Sequence, residues 1–506
     1  MAATAVNPET VRRDIRALTG LRAVAAAVVV LFHISSLAGV YLDRMPMLRP
    51  LVDAGWTGVE LFFVLSGFVI TLSYIDRVGH RPTLRTVGHF VFNRFARVWP
   101  AWATVAVLVG AWLFTLRVLG GDPDAFTAHP PTDVPNLLQH LTMTQMWGTV
   151  ELRGSSYVPP GWSISAEWAA YLAFPLLAVL LRPLRRLPAV VLLGLGVLAM
   201  SPLALMGWYG IPEHAQHWGV RIACGFVAGI LTALGVRRLR RTQRVESVAF
   251  AVLCASLIMI AVVLLWASAR RGGDFSRDYA GVVVLVFPVL IASLAFTDRG
   301  PARWLASGPM TYGGRMSYCL YLVHYSVMDI VLTVWWQDPA TRGVITPAVT
   351  GVLPLIVLLS YLLGAALHHG VEEPARRRLL RLLDRRQRSV GAPAIAVRRA
   401  PAPRPADQVP APRSAASDRR PVPVGRSVDA ARRNGFGGER SRVPGARPAE
   451  RLSRAGRPRR RPDRPARPCD GACGSGGPTG PGDLRGPARE PAPDRSVTAR
   501  LFRSCH

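Results

Sequence analysis

The pair of residues with the most chemical promise lies in the first long apolar stretch, TGLRAVAAAVVVLFH, where Arg22 is followed eleven positions later by His33. On an α-helix that interval is a rise of about 16 Å and a net turn of about 20°, so both side chains share one face at two depths. A guanidinium grips carboxylate or phosphate through paired hydrogen bonds, and an imidazole is suited to taking a proton near neutral pH. Such a face fits a long anionic molecule whose charged end rests at Arg22 and whose reactive end reaches His33. Glu60, Glu167 and His324 lie in other apolar stretches, and ionisable groups inside such stretches mark functional sites by default because burying them is costly. Each has a plainer reading when taken alone: an Arg that snorkels to headgroups, a histidine bonded to a neighbouring helix, a carboxylate paired with a buried Arg.

These residues need elements that can hold them. The chain has 506 residues, is 50% hydrophobic and has a mean hydropathy of +0.24, too apolar for an ordinary soluble protein. A hydrocarbon core of about 30 Å requires roughly 20 apolar residues per helix. That ruler finds ten spans, near residues 17–40, 56–75, 99–120, 162–181, 188–209, 218–236, 247–268, 279–297, 316–336 and 345–367. The sequence therefore predicts an all-α polytopic membrane protein with about ten transmembrane helices. Its parts are an N-terminus over 1–16, a transmembrane domain over 17–380 and a tail over 385–506.

Charge sets the expected orientation. The formal net charge is +30, and every one of the 61 basic residues is Arg. The basic residues cluster before the first span and in even-numbered connections, among them Arg77, Arg81, Arg85, Arg94 and Arg97, then Arg182, Arg185 and Arg186, then Arg237 to Arg244. Basic residues near helix ends stay on the cytoplasmic side, which places both termini inside. The seventh connection, with Arg270, Arg271 and Arg277, goes against the pattern, accompanied by Asp274 and Asp278.

The tail is rich in Arg, Pro, Gly and Ala without apolar periodicity, and such a segment cannot bury enough surface to offset ordering entropy. It is expected to be disordered, a solvated extension or a tether to anionic lipid headgroups. Nucleic-acid binding needs a folded basic face and is not expected. Cys469 and Cys473 have a ligand-like spacing with no second pair nearby, no HExxH pattern occurs, and no metal is expected.

The candidates also keep company in sequence. Glu60 opens GWTGVELFFVLSGFVI, Arg94 and Arg97 stand in FNRFARVWPAW, Glu167 closes the WSISAE of GWSISAEWAAYLAFP, His324 ends the SYCLYLVH of GRMSYCLYLVHYS, and VEEPARR follows the last span. With the Arg and His of the first span, this order resembles the acyltransferase 3 family of bacterial integral membrane acyltransferases over residues 14–380. The family pattern has an Arg, ten residues and a His, then an acidic FFVLSGF-like element, RxxRxxP, a WSLSxE-like element and SYxxYLxH. Ile164 in place of the usual leucine is the visible departure.

The resemblance implies an acyl group, usually acetyl, moving from acyl-CoA to a hydroxyl of a carbohydrate or glycoside, in the bacterial cytoplasmic membrane. It marks Arg22 and His33 as the central pair, with Glu60, Arg94, Arg97, Glu167 and His324 as further functional residues. His33 would act as general base or carry the acyl group, and Glu60 or Glu167 would orient its ring as a carboxylate does in hydrolytic triads. Arg94 and Arg97 would hold the donor's phosphates, and His324 would be a second acid or base. Ser66 lacks the surroundings of a nucleophile elbow and reads as helix packing with Gly67. The alternatives are O-acylation of a glycosylated natural product such as a macrolide and, from another class, a transporter or flippase. The latter would need broken helices in two symmetric halves.

Overall fold

The computed structural model describes residues 8–80, 82–149, 152–210, 217–270 and 278–391, and every regular element among them is a helix. We number the main helices α1 (Pro8–Ile34), α2 (Thr57–His80), α3 (Leu84–Val118), α4 (Trp162–Leu180), α5 (Ala189–Tyr209), α6 (Trp218–Arg238), α7 (Gln243–Ala269), α8 (Tyr279–Leu294), α9 (Gly308–Trp335), α10 (Pro347–Leu367) and α11 (Glu373–Gly391). Among the described residues, nine helices are long and apolar enough to cross a bilayer.

The eighth expected span, near 279–297, is the remaining one: α8 is shorter because it begins as 3-10 turns over Tyr279–Val286 and becomes α-helical at Phe287–Leu294. Its run of β-branched valines favours the departure from α geometry. Since 3-10 turns rise about 2.0 Å per residue, the whole element still reaches about 28 Å, close to the thickness of a hydrocarbon core.

Two boundaries differ from expectation. The FNRFARVWPAW segment is not a loop before the third span but part of α3, which starts at Leu84. Thr83 caps it, accepting from the Thr86 N–H at 3.2 Å while the Thr86 hydroxyl accepts from the Thr83 N–H at 3.0 Å. At 35 residues α3 is about 52 Å long and overshoots a hydrocarbon core. Its overshoot carries Arg85, Arg94 and Arg97. At the other boundary, the tail expected from residue 385 begins inside α11, which runs to Gly391. The rest of that expectation, with Cys469 and Cys473, lies outside the described residues.

Between α10 and α11 the chain makes one π turn, His368–Glu372, in which the Glu373 N–H reaches back to the His368 carbonyl. Pro374 explains it: proline has no N–H to donate and its ring clashes with the carbonyl four residues back, so the helix widens just before it.

Glycines let the central helices touch. A Cβ added to Gly314 of α9 would lie 1.7 Å from the Thr19 carbonyl oxygen of α1. Likewise, a Cβ on Gly67 of α2 would lie 2.2 Å from the Phe226 oxygen of α6, and one on Gly229 of α6 would lie 2.2 Å from the Val64 oxygen of α2. In a bilayer, where burial from water does not drive helices together, such close packing is a main source of association. The result is a long α1–α9 contact and a long α2–α6 contact beside it, with Phe68, Phe226 and Phe174 filling the space around the second.

Candidate active site

His33 sits in the last turn of α1, where the Ser35 hydroxyl turns back onto the Phe32 carbonyl at 2.7 Å and the helix stops. Because α1 lies along α9, His33 meets His324: His324 Nε2 is 3.2 Å from His33 Nδ1. His324 is only 3% exposed. Backbone carbonyls assign the protons. His33 Nδ1 is 2.9 Å from the Val29 oxygen and His324 Nδ1 is 3.2 Å from the Leu320 oxygen. A carbonyl only accepts, so Nδ1 carries the hydrogen in both rings. His324 Nε2 is then a lone pair sharing the His33 Nδ1 proton, and Nε2 is the basic nitrogen of His33. Tyr325 stands edge-on to the His33 ring at 5.2 Å.

Toward the end of the bundle that holds the N-terminus of α1, the same wall becomes cationic. Arg22 Nε lies 3.5 Å from the Ser317 hydroxyl, and its guanidinium sits 5.5 Å from the Phe62 ring. Arg97 forms an ion pair with Glu372 and lies near enough to Arg22 and Arg376 to feel their like charge. Arg94 is beside Tyr74, with its guanidinium 5.2 Å from that ring, and its buried Nε has no hydrogen-bond partner among the described residues. Arg376 of α11 in turn feels Arg94. The four guanidiniums are thus linked by mutual repulsion, and one of them, Arg97, pairs with the buried Glu372.

The partners shown for the two acidic candidates are other groups than the His33 ring. Glu60, fully buried, pairs with Arg221 of α6 at 2.6 Å, and that guanidinium lies 4.4 Å from the Trp162 ring. Glu167 accepts from the Ser66 hydroxyl at 2.7 Å and from the Tyr171 hydroxyl at 2.5 Å. The reason is position: each carboxylate has a closer donor on its own or a neighbouring helix, while α9 brings an imidazole to His33. Ser66 accordingly does more than pack, since its hydroxyl joins α2 to α4.

Beyond His33 the connection after α3 folds over the bundle. Phe126 lies 6.0 Å from the Tyr325 ring and 5.7 Å from that of Trp336. The Asp122 backbone and the Gln337 side chain exchange two hydrogen bonds, both at 2.8 Å. His129 Nε2 meets Asp329 of α9 at 2.9 Å. Burial disfavours the His129 cation, but Asp124 and Asp329 outweigh it and hold His129 up at about 9. A histidine raised above its ordinary value contributes stability in full below about pH 6.5 and loses it as pH rises through its folded value. Hydrogen exchange in residues 119–133 should therefore quicken as pH passes about 9, beyond the intrinsic base-catalysed rise, and His129→Gln should remove that extra step. Equal profiles for the two proteins would refute the clasp. His140 behaves oppositely: burial pushes it down to about 4, its Nδ1 lies 2.7 Å from the Asn136 oxygen and its Nε2 accepts the Tyr157 N–H, so it is a neutral structural group.

Sequence reading passed over Arg221, Asp329, His368 and Glu372 as chemistry. The rule that selects Glu60, an ionisable group inside an apolar span, selects Arg221 and Asp329 equally. His368 and Glu372 carry a weaker signal, a His and a Glu four apart at the close of the last span.

The chain belongs to the acyltransferase 3 family, whose acyltransferase domain matches residues 15–365. It is therefore a membrane-embedded, multi-pass acyltransferase. It is 28% identical over 417 residues to acyltransferase MdmB of Streptomyces mycarofaciens, covering 78% of this chain and 98% of that one. It is 25% identical to the putative membrane-bound transacylase BcsY of Komagataeibacter xylinus, over 70% of this chain and 82% of the other. To the peptidoglycan O-acetyltransferase OatA of Listeria monocytogenes it is 24% identical, over 64% of this chain and 51% of the other. No solved structure matches the chain.

Proposed function

We propose that the protein transfers an acyl group, acetyl in the first instance, from acyl-CoA to a hydroxyl of a carbohydrate or envelope glycan. The observation that carries this reading is the gradient along one wall. Arg22, Arg97, Arg376 and Arg94 lie close enough to feel one another's charge at one end, where Arg97 pairs with Glu372 and Arg376 also feels Glu373, and the His33–His324 pair lies farther along. Excess guanidinium charge calls for an anion, and coenzyme A supplies phosphates at one end and a thioester at the other.

His33 Nε2 takes the proton of the acceptor hydroxyl as its oxygen attacks the thioester carbonyl carbon. The imidazolium is stabilised by the Val29 carbonyl, by His324 Nε2 and by the carbonyl end of α1. As the tetrahedral intermediate collapses, the carbon–sulfur bond breaks and the proton passes to the departing thiolate, giving an ester and free coenzyme A. His324 thus takes the orienting part first given to a carboxylate. Glu167, bonded to Ser66 and Tyr171, keeps α2 and α4 in register along the same wall, and Glu60 with Arg221 braces its far end.

The transmembrane unit over 17–380 acts in the bacterial cytoplasmic membrane with both termini inside, so the cationic end opens to cytoplasmic acyl-CoA. The Arg distribution supports this orientation. A second acceptor class, a glycosylated natural product, would be reached by the same chemistry. The experiment is to incubate purified protein in lipid with labelled acetyl-CoA and either glycan fragments or small glycosides. Label should pass to a hydroxyl of one acceptor class and be inhibited by free coenzyme A. No transfer to either class, or transfer indifferent to coenzyme A, would overturn the reading.

A further inference from the structure

Glu372 is the buried anion paired with Arg97, yet the transfer scheme gives it no part. It is 0% exposed, and its two oxygens are divided. One pairs with Arg97; the other lies 2.7 Å from His368 Nδ1 and accepts from the Cys319 thiol at 3.0 Å. The π turn brings His368 and Glu372 together, and Cys319 reaches them from α9. Arg97 is also confined from its own side, with its guanidinium 6.0 Å from the Tyr318 ring and the Tyr318 hydroxyl fixed to the Val98 carbonyl at 2.8 Å.

A guanidinium offers five donors in one plane. Glu372 meets Arg97 at Nη1, which leaves the other edge of the fork to a second partner in a plane that is already set. Arg97's side chain is 22% exposed, so its pairing with Glu372 does not close it off entirely. Without the carboxylate, the like charges of Arg22 and Arg376 would drive Arg97 away from the site.

We propose that Glu372 is a positioning residue for the donor: it holds Arg97 so that the remaining donors meet a phosphate of the acyl-CoA, while His368 and Cys319 lock the carboxylate. This rests on the acyl-CoA reading given above. The ligand atoms of Cys319, His368 and Glu372 also lie within 4.8 Å of one another, as a metal would require. Arg97 already places a positive charge on that carboxylate, which disfavours a second cation there.

The test compares steady-state transfer from labelled acetyl-CoA by full-length wild type, Glu372→Gln and Glu372→Asp in lipid. For Glu372→Gln the KM for acetyl-CoA should rise about tenfold or more, the size of one charge-assisted hydrogen bond, with kcat within about threefold of wild type. Glu372→Asp should recover part of the loss. If Glu372→Gln does not fold, His368→Asn leaves the Arg97 pair in place and should still raise KM about threefold, a fraction of that same bond. An unchanged KM in the variant that folds, a fall in kcat alone, or one tightly bound metal per wild-type chain would each overturn the assignment. Those results leave the donor reading standing; failure of wild type itself to use acetyl-CoA sinks both.

Discussion

His33→Ala is expected to lower transfer from acetyl-CoA by a factor of about 10² to 10⁴, the usual worth of a positioned general base. The protein should still fold, because His33 is half-buried in the last turn of α1 and its loss opens no deep cavity. The KM for acetyl-CoA should change little, since the proposed place for the donor's phosphates is at the guanidiniums, away from His33. Hydrolysis or transfer that persists within about threefold of wild type would remove His33 from the chemistry, given the magnitude expected of a base. The same protein separates two versions of the step. If His33 carries the acyl group itself, wild type denatured rapidly at neutral pH after brief mixing with labelled acetyl-CoA and no acceptor will hold label on protein that hydroxylamine releases, and His33→Ala will not. If it acts as base, neither will.

The second large effect is on stability. Arg221→Ala should cost about 3–5 kcal/mol, the range found when one partner of a buried ion pair is removed. Glu60 is 0% exposed and Arg221 is 5% exposed, and Glu60 Oε2 already lacks a hydrogen bond among the described residues, so the truncation leaves a carboxylate with no donor from them on either oxygen. The double variant Glu60→Gln, Arg221→Met should recover most of the loss, because it removes both charges together. Thermal unfolding in detergent reads both changes, and activity per folded molecule should stay within a fewfold of wild type. A stable but inactive Arg221→Ala protein would return Glu60 to the transfer chemistry, the role first expected of it.

The contrast between Glu60 and His33 shows what was legible in the sequence. Helical spacing alone put Arg22 and His33 on one face, and the hydrophobic ruler located the spans, because both depend on local geometry. The partners were not legible. Nothing within α1 says that His324 will meet His33; that depends on Gly314 admitting the Thr19 backbone, a contact between residues about three hundred positions apart. Glu60 reads as an orienter only while Arg221 is overlooked, and Arg221 was hidden because an Arg near a span end resembles a charge that marks orientation. The start of α3 was misplaced for a similar reason: Arg94 and Arg97 lower the hydropathy of a segment that is nonetheless helical, since the capping threonines, not apolarity, decide where that helix begins.

One rod touches three stations. Along α9, Ser317 meets Arg22, His324 meets His33, and Asp329 clasps the loop through His129, with steps of about 10 Å and 7 Å between them. A helix is stiff along its axis, so a slide of α9 against α1 cannot loosen one station and spare the others. The setting of Arg22, the alignment of the imidazoles and the hold on the far-side loop are therefore mechanically geared to a single displacement.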